Sequence, residues 1–206
     1  RIIDICRERK IPVKFADQRR LDRLCDGAAH QGVAAFVAAH EYAEMDDIFA
    51  LAESRNESPF IVVCDSLEDP HNLGAILRSA EAAGVHGVII PKRNSVTLNY
   101  TVAKTSAGAI EYVPVVKVAN LPAAIDELKS RGVWIFGADM DGTDYTALDY
   151  SGSIALVIGS EGKGIGRLVR EKCDFIASLP MRGKINSLNA SVAAGILMFE
   201  AAKHRN

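Results

Sequence analysis

Three separated stretches of the chain concentrate the side chains that could do chemistry: DPHNLGAILRSAEAAG at 69–84, VIGSEGKGIG at 157–166 and LPMRGKINSLNASVAAGILMFE at 179–200. The first offers an amide, Asn72, and a cation, Arg78, on a segment in which Asp69-Pro70-His71-Asn72 ends a loop and opens a helix. Capping alone would account for Asn72, and a surface salt bridge for Arg78. The second stretch sets Glu161 among glycines directly after the apolar run IALVI. It could be no more than a tight turn, but a carboxylate wedged there needs a partner, and an arginine such as Arg78 would supply one. The third runs from Leu179 through Met181, Arg182, Lys184, Ser187, Leu188 and Asn189 into a strongly apolar helix. Ordinary capping explains Ser187 or Asn189; two cations and two amides beside a helix N-terminus also suit an anion such as a phosphate.

The elements around these stretches decide whether they can meet. From Pro59 onward the pattern predicts strands at 60–64, 86–90, 112–118, 133–138, 154–159 and 174–179, and helices near 72–83, 99–108, 120–131, 164–172 and 188–203. FIVVC and IALVI are apolar at every position, as strands covered on both faces must be. The expected fold is therefore α/β, a mostly parallel sheet between helices, with the polar residues converging at one edge. Segment 1–42 reads as a small α/β piece: a helical IIDICRERK, a strand-like IPVKFA, a basic helix QRRLDRLCDGA and the apolar HQGVAAFVA. It opens in what looks like the middle of a module and is expected to be incomplete. Segment 43–58, acidic and amphipathic, ends in ESRNESP and reads as a linker, leaving 59–206 as the main domain.

Composition removes several function classes. At 49% hydrophobic and 24% charged residues the chain can build a core, and no run approaches the roughly 18 apolar residues of a membrane span. RIIDICRERK lacks the apolar run of a signal peptide, so a cytoplasmic protein is expected. Cys6, Cys25, Cys64 and Cys173 are scattered, with no CxxC pair and no histidine at ligand spacing, so neither a disulfide framework nor a metal site is expected. Cys64, inside FIVVCD, reads as a small buried hydrophobe. Residues 1–25 hold eight Lys/Arg against four Asp/Glu, a local +4 in a chain of net −2. A basic N-terminal piece on an acidic body is either an electrostatic footprint for RNA or a solvated helical face. A dinucleotide fold would need a glycine-rich turn after the first strand, where SLEDPHNLG stands instead. GSEGKGIG is not a P-loop either, because Ile165 and Gly166 occupy the Lys and Ser/Thr positions.

Taken together, the three stretches resemble the motifs of the SpoU family of RNA 2′-O-methyltransferases over about the last 150 residues. The family pattern of Asn and Arg, then Glu in a glycine loop, then Ser-x-Asn is met by Asn72, Arg78, Glu161, Ser187 and Asn189. The resemblance implies the SPOUT architecture with a C-terminal trefoil knot, and S-adenosylmethionine held within that knot by the loops at Gly137, Gly159, Leu179–Met181 and Leu188. Leu179 replaces the Ile common in relatives, a small apolar change. Gly137 could equally be a turn after VWIF. The resemblance gives Arg78 the role of base toward the ribose hydroxyl, with Asn72 and Asn189 orienting it, Glu161 holding it and Ser187 positioning substrate or loop. It also implies a homodimer, for which helices such as SVAAGILMFEAA could serve, although core packing explains them equally well.

GAAHQGVAAFVA is similar to the end of the L30e-like substrate-binding domain in the ribosomal branch, the RlmB-like enzymes. That points to a guanosine in the peptidyl-transferase loop of 23S (large-subunit) rRNA. A tRNA 2′-O-methyltransferase and a non-catalytic L30e-like rRNA-binding protein are the competing readings, and the second gives no reason for Arg78, Glu161 and Asn189 to coexist.

Overall fold

A computed structural model describes residues 1–25, 27, 29–36 and 40–205. The chain divides into two compact units, Arg1–Ala39 and His40–Asn206. In the first unit, helices α1 (Ile2–Glu8) and α2 (Gln18–Leu24) form where the pattern predicts helix, and α2 is capped by Asp17 accepting from the Arg20 N–H at 2.8 Å. The strand-like IPVKFA is irregular backbone, since an isolated strand has no neighbour to satisfy its ladder. The end of HQGVAAFVA lies outside the described residues. No described residue of this unit is buried, and Ile2, Ile11, Phe15 and Phe36 stay exposed.

The second unit runs α3 (Met45–Ser54), β1 (Phe60–Cys64), α4 (Pro70–Ala82), β2 (Gly87–Pro91), α5 (Tyr100–Thr105), β3 (Val115–Val118), α6 (Leu121–Ser130), β4 (Trp134–Asp144), β5 (Ile154–Ile158), α7 (Arg167–Arg170), β6 (Phe175–Ser178) and α8 (Ala190–Ala202). The six strands form one sheet in the order β3-β2-β1-β5-β4-β6, and every pairing is parallel. Alternation along the buried strands separates two cores. Phe60, Val62 and Cys64 face α4, α5 and α8, whereas Ile61 and Val63 face α3, α6 and α7. Burial, and then the adjacent Asp65 carboxylate, push the Cys64 thiol up to about 12, so it remains a thiol in the core.

Several boundaries differ from the periodic pattern for local reasons. Residues 43–58 contain α3, whose Met45 and Ile48 are buried in the second core and whose Ala52 is also buried, and Ala43 pairs with Val116 at the β3 edge. Helix α5 stops at Thr105 because Ala107 (φ 51°) and Gly108 (φ 93°) turn left-handed. β3 begins only at Val115, after Pro114, which has no N–H for a ladder. Helix α7 is four residues long. β4 is longer than expected because it bulges: Ala138 and Thr143 both pair with Ala177, and residues 139–142 leave the ladder between them.

At the amino ends of the strands, fully buried His86 accepts the Phe60 N–H on Nδ1 at 3.0 Å and lies 3.0 Å from Glu57 through Nε2. Nδ1 is therefore unprotonated and Nε2 carries the hydrogen. Burial, opposed by Glu57, holds the imidazole below its ordinary 6.5. The unfolded chain takes up this proton near 6.5 and the folded one only at lower pH, so the stability contribution is complete above 6.5 and is lost as pH falls through the folded value. Urea midpoints of the wild type should fall as pH drops below 6.5, and His86→Gln should flatten that part of the profile; parallel profiles would contradict the assignment.

Candidate active site

β1 and β5 are neighbours whose following segments leave for opposite faces, β1 into α4 and β5 into α7. This is the topological switch at which open parallel sheets hold ligands. The loop after β5 is built on close approach. A Cβ on Gly159 would lie 2.1 Å from the Gly164 carbonyl carbon, because residues 160–164 fold back over it. Ser160 and Gly164 exchange backbone hydrogen bonds of 3.1 and 2.9 Å, and Gly162 (φ 81°) and Gly164 (φ 65°) make the reversal possible. The far end of the loop is tied to β1: the Gly166 N–H donates to Asp65 Oδ2 at 2.7 Å, and Ser66 Oγ donates to Asp65 Oδ1 at 2.9 Å.

Glu161, at the tip of this loop, joins the other two stretches. Its Oε1 accepts from Asn72 Nδ2 at 3.1 Å, from Asn189 Nδ2 at 2.5 Å and from the Ala190 N–H at 3.4 Å, while Asn189 Nδ2 also reaches Asn72 Oδ1 at 2.9 Å. Capping does not account for Asn72. The cap of α4 is Asp69, which accepts from the His71 N–H at 2.8 Å, and Asn72 lies one turn inside with 6% of its surface exposed. Asn189 serves two purposes: its Oδ1 caps α8 through Ser191 N–H (2.9 Å) and Val192 N–H (3.3 Å), and its amide nitrogen turns to Glu161. The expectation that Arg78 holds Glu161 is not met. Arg78 is exposed on α4 and makes no ion pair or side-chain hydrogen bond among the described residues, while the two asparagine amides engage Glu161 through Oε1.

Beside this junction, a cavity of about 470 Å³ opens at the carboxyl ends of β4, β5 and β6. Gly159, Leu179, Met181 and Leu188, the residues that the resemblance assigns to the cofactor, line it, together with Glu161 and exposed Ser187. Gly137 does not; its neighbour Ala138 does. A Cβ on Gly137 would meet Cys173 Sγ at 2.9 Å, so that glycine reflects packing against the second core. Asn72, Arg78 and Asn189 are not in the lining. Sequence reading missed Asp65, Asp139 and Met140, the last two lining the cavity from the β4 bulge. The carboxylate closing the FIVVCD run was the available signal for Asp65.

The cavity's size is ordinary for a small-molecule site. Apolar side chains, glycine backbone, two carboxylates (Asp139 and Glu161), the cation of Lys163 and the polar Ser160, Asn186 and Ser187 line it. That set suits a ligand with a flat apolar base and charged groups of both signs. Gly159→Ala should lower stability by about 1–3 kcal/mol, since backbone must shift. In urea titrations Gly183→Ala, where nothing stands within 4 Å of the added carbon, should be near neutral; equal effects would remove the close-approach explanation.

The profile of the SpoU rRNA methylase family matches residues 59–199, and that of the RNA 2′-O ribose methyltransferase substrate-binding family matches residues 1–43. The chain is 52% identical, over its whole length and 82% of the relative's, to YacO of Bacillus subtilis, a protein assigned to the TrmH family of tRNA/rRNA methyltransferases. Among solved structures, an AdoMet-bound rRNA methyltransferase from Sinorhizobium meliloti superposes with a TM-score of 0.68 at 30% identity over 72% of this chain. This chain spans 57% of that enzyme. A TrmH/SpoU tRNA-modifying enzyme from A. aeolicus gives a TM-score of 0.64 at 29% identity, covering 77% of this chain and 82% of that one. With its parallel sheet, its glycine loop and the Asn72–Glu161–Asn189 junction beside the cavity, the chain belongs to the SpoU/TrmH family of RNA methyltransferases.

Proposed function

We propose that this protein transfers a methyl group from S-adenosylmethionine to the ribose 2′-hydroxyl of a guanosine in 23S rRNA. The observation that carries the reading is the junction of Asn72, Glu161 and Asn189 at the edge of the cavity. Bound in the cavity, S-adenosylmethionine supplies an electrophilic methyl group on a sulfonium. Glu161 and Asp139, the latter paired with Arg170, put carboxylates in the cavity wall alongside the cation of Lys163, and Leu179, Met181 and Leu188 form its apolar side. The chain must also align the ribose hydroxyl and remove its proton.

Arg78 is the base in this proposal. Guanidinium groups are ordinarily permanent cations, so Arg78 must first lose a proton: covering by the bound nucleotide disfavours its charged form, an RNA phosphate oxygen takes that proton, and the neutral guanidine then accepts the proton of the ribose hydroxyl. Arg78 has no protein partner among the described residues, which leaves it available for that role. Asn72 and Asn189, held by Glu161, fix the first turns of α4 and α8 around the ribose, and Ser187 at the cavity mouth positions the substrate or the loop. The C-terminal trefoil knot, the L30e-like character of residues 1–42, a catalytic domain at 59–206 onto which α3 of the expected linker 43–58 packs, and a cytoplasmic location belong to the same reading. The substrate-binding match at residues 1–43 supports an RNA-recognition role for the N-terminal unit.

A homodimer is also proposed, through α8. Val192, Ile196 and Phe199 lie on one stripe of that helix and are 49%, 36% and 50% exposed, opposite the buried Ala194, Leu197 and Ala201. Phe199→Asp should convert a dimer to a monomer in light scattering; a wild-type monomer would sink the proposal.

Methyl transfer from labelled S-adenosylmethionine to unmodified large-subunit rRNA and tRNA tests the activity. Labelled 2′-O-methylguanosine in rRNA alone is the expected product, and label in tRNA would assign the enzyme to the tRNA branch. Arg78→Ala should abolish turnover and leave cofactor affinity within about twofold, because Arg78 is outside the cavity. A variant that keeps most of its turnover would remove Arg78 from the base role.

A further inference from the structure

The β4 bulge is fixed from three sides. Arg170, the last residue of α7, donates from Nε to Asp139 Oδ2 at 2.9 Å and from Nη2 to Asp141 Oδ1 at 2.6 Å. Ser178 Oγ donates to the Met140 carbonyl at 2.9 Å. Gly142 passes so close to β6 that an added Cβ would lie 2.3 Å from the Ile176 carbonyl oxygen. Asp139 Oδ1 accepts from the Met140 N–H at 2.7 Å, so both oxygens of the cavity-lining Asp139 are engaged.

Without Arg170 the bulge would carry two carboxylates two residues apart with no cation to hold them. An arginine meets that geometry because its rigid fork reaches both at once, which a lysine ammonium does not. The pair is also uneven. The Asp139 side chain is 24% exposed and lines the cavity, whereas Asp141 is 74% exposed and acts as an outer tether. Helix α7 is preceded by its cap Gly166, which Asp65 anchors to β1, so the clamp starts from a fixed point. What the clamp holds in place, together with the Ser178 hydrogen bond to its carbonyl, is Met140, a polarizable thioether that lines the cavity yet is 65% exposed.

We propose that Arg170 is a positioning residue for cofactor binding: by bridging Asp139 and Asp141 it holds the 139–142 bulge so that Met140 forms one wall of the S-adenosylmethionine site. The inference rests on the cofactor proposed above. A surface ion pair with no functional role would alter stability slightly and nothing else, so the readouts are chosen to separate the two.

Arg170→Gln and Arg170→Lys, made in the full chain, are to be compared with the wild type. The measurements are S-adenosylmethionine Kd by calorimetry, KM and kcat, thermal midpoint, and amide exchange at Met140–Gly142 in cofactor-free protein. The Gln variant should raise Kd and KM on the order of tenfold, keep kcat within about twofold and exchange faster at the bulge. The Lys variant should fall between, since a shorter side chain ending in a point charge lacks the fork that spans both carboxylates. Unchanged Kd and KM would overturn the proposal, as would unchanged exchange. Should Arg170→Gln fail to fold, Asp141→Asn removes only the exposed tether and should show the same changes at smaller size; no change in it would count equally against the clamp. Wild-type protein that binds no S-adenosylmethionine would overturn the cofactor reading, whereas equal exchange in variant and wild type overturns the clamp whatever the ligand.

Discussion

One carboxylate oxygen, Glu161 Oε1, is where three parts of the chain far apart in sequence are joined. It takes hydrogen bonds from Asn72, from Asn189 and from the Ala190 backbone. Both asparagines stand in or at the first turn of a 13-residue helix, α4 and α8, so the negative charge also faces two helix N-termini, where it is favoured. The arrangement works in both directions. The carboxylate needs these donors to sit at the edge of an apolar cavity, and buried Asn72 would lose its partner without the carboxylate, at a cost of about 1–3 kcal/mol. The helices, the glycine loop and the cavity wall are therefore set by one shared contact.

That contact is possible only because of the sheet beneath it. An all-parallel sheet covered on both faces sends every strand end and its outgoing loop to the same side, and the order β3-β2-β1-β5-β4-β6 places the loops after β1 and β5 next to each other. The registers Val63↔Val157 and Cys64↔Ile158 then bring Asp65 alongside Gly159. From there Asp65 reaches across to Gly166 and closes the loop that carries Glu161. A slip of one residue would turn Val62 and Val63 to the wrong cores and carry Asp65 away from the loop it holds.

The sheet was legible because its strands are apolar at every position, a pattern that needs no partner to be read. The strands at 60–64 and 154–158 fall within a residue of expectation for that reason. What failed depends on backbone detail that composition does not encode. The β4 bulge rests on Gly142 passing over Ile176, and α7 is cut short by a glycine turn that hydrophobic spacing cannot register. At the site, the types of Asn72, Glu161 and Asn189 were readable but their pairing was not. Charge complementarity suggested Arg78 for Glu161, whereas geometry gave the carboxylate to two neutral amides that are closer and already positioned by their helices. Asp139 and Arg170 lie 31 residues apart in stretches without motif spacing, and only the fold brings them together.

The same distinction explains the charge of the second unit. On and around α6 and α7, Lys129, Arg131, Arg167, Arg170 and Lys172 are each bound to a carboxylate. Arg78, Lys92, Arg93, Lys163, Arg182 and Lys184, on α4 and on the loops following β2, β5 and β6, form no ion pair among the described residues. The cations around α6 and α7 are thus neutralised within the scaffold, whereas Lys163 in the cavity lining, and Arg182 and Lys184 in the loop after β6, are left without an ion pair among the described residues, as are Arg55, Lys104, Lys117 and Arg205 elsewhere. Phosphates attract such a set without any change in the chain's net charge of −2, because affinity follows the local arrangement of cations and not their sum. The basic N-terminal segment, which stood out in the sequence, is therefore not the whole electrostatic footprint. Arg78 is one of the unpaired cations, and within the proposed mechanism an RNA phosphate supplies the anionic partner that Glu161 does not.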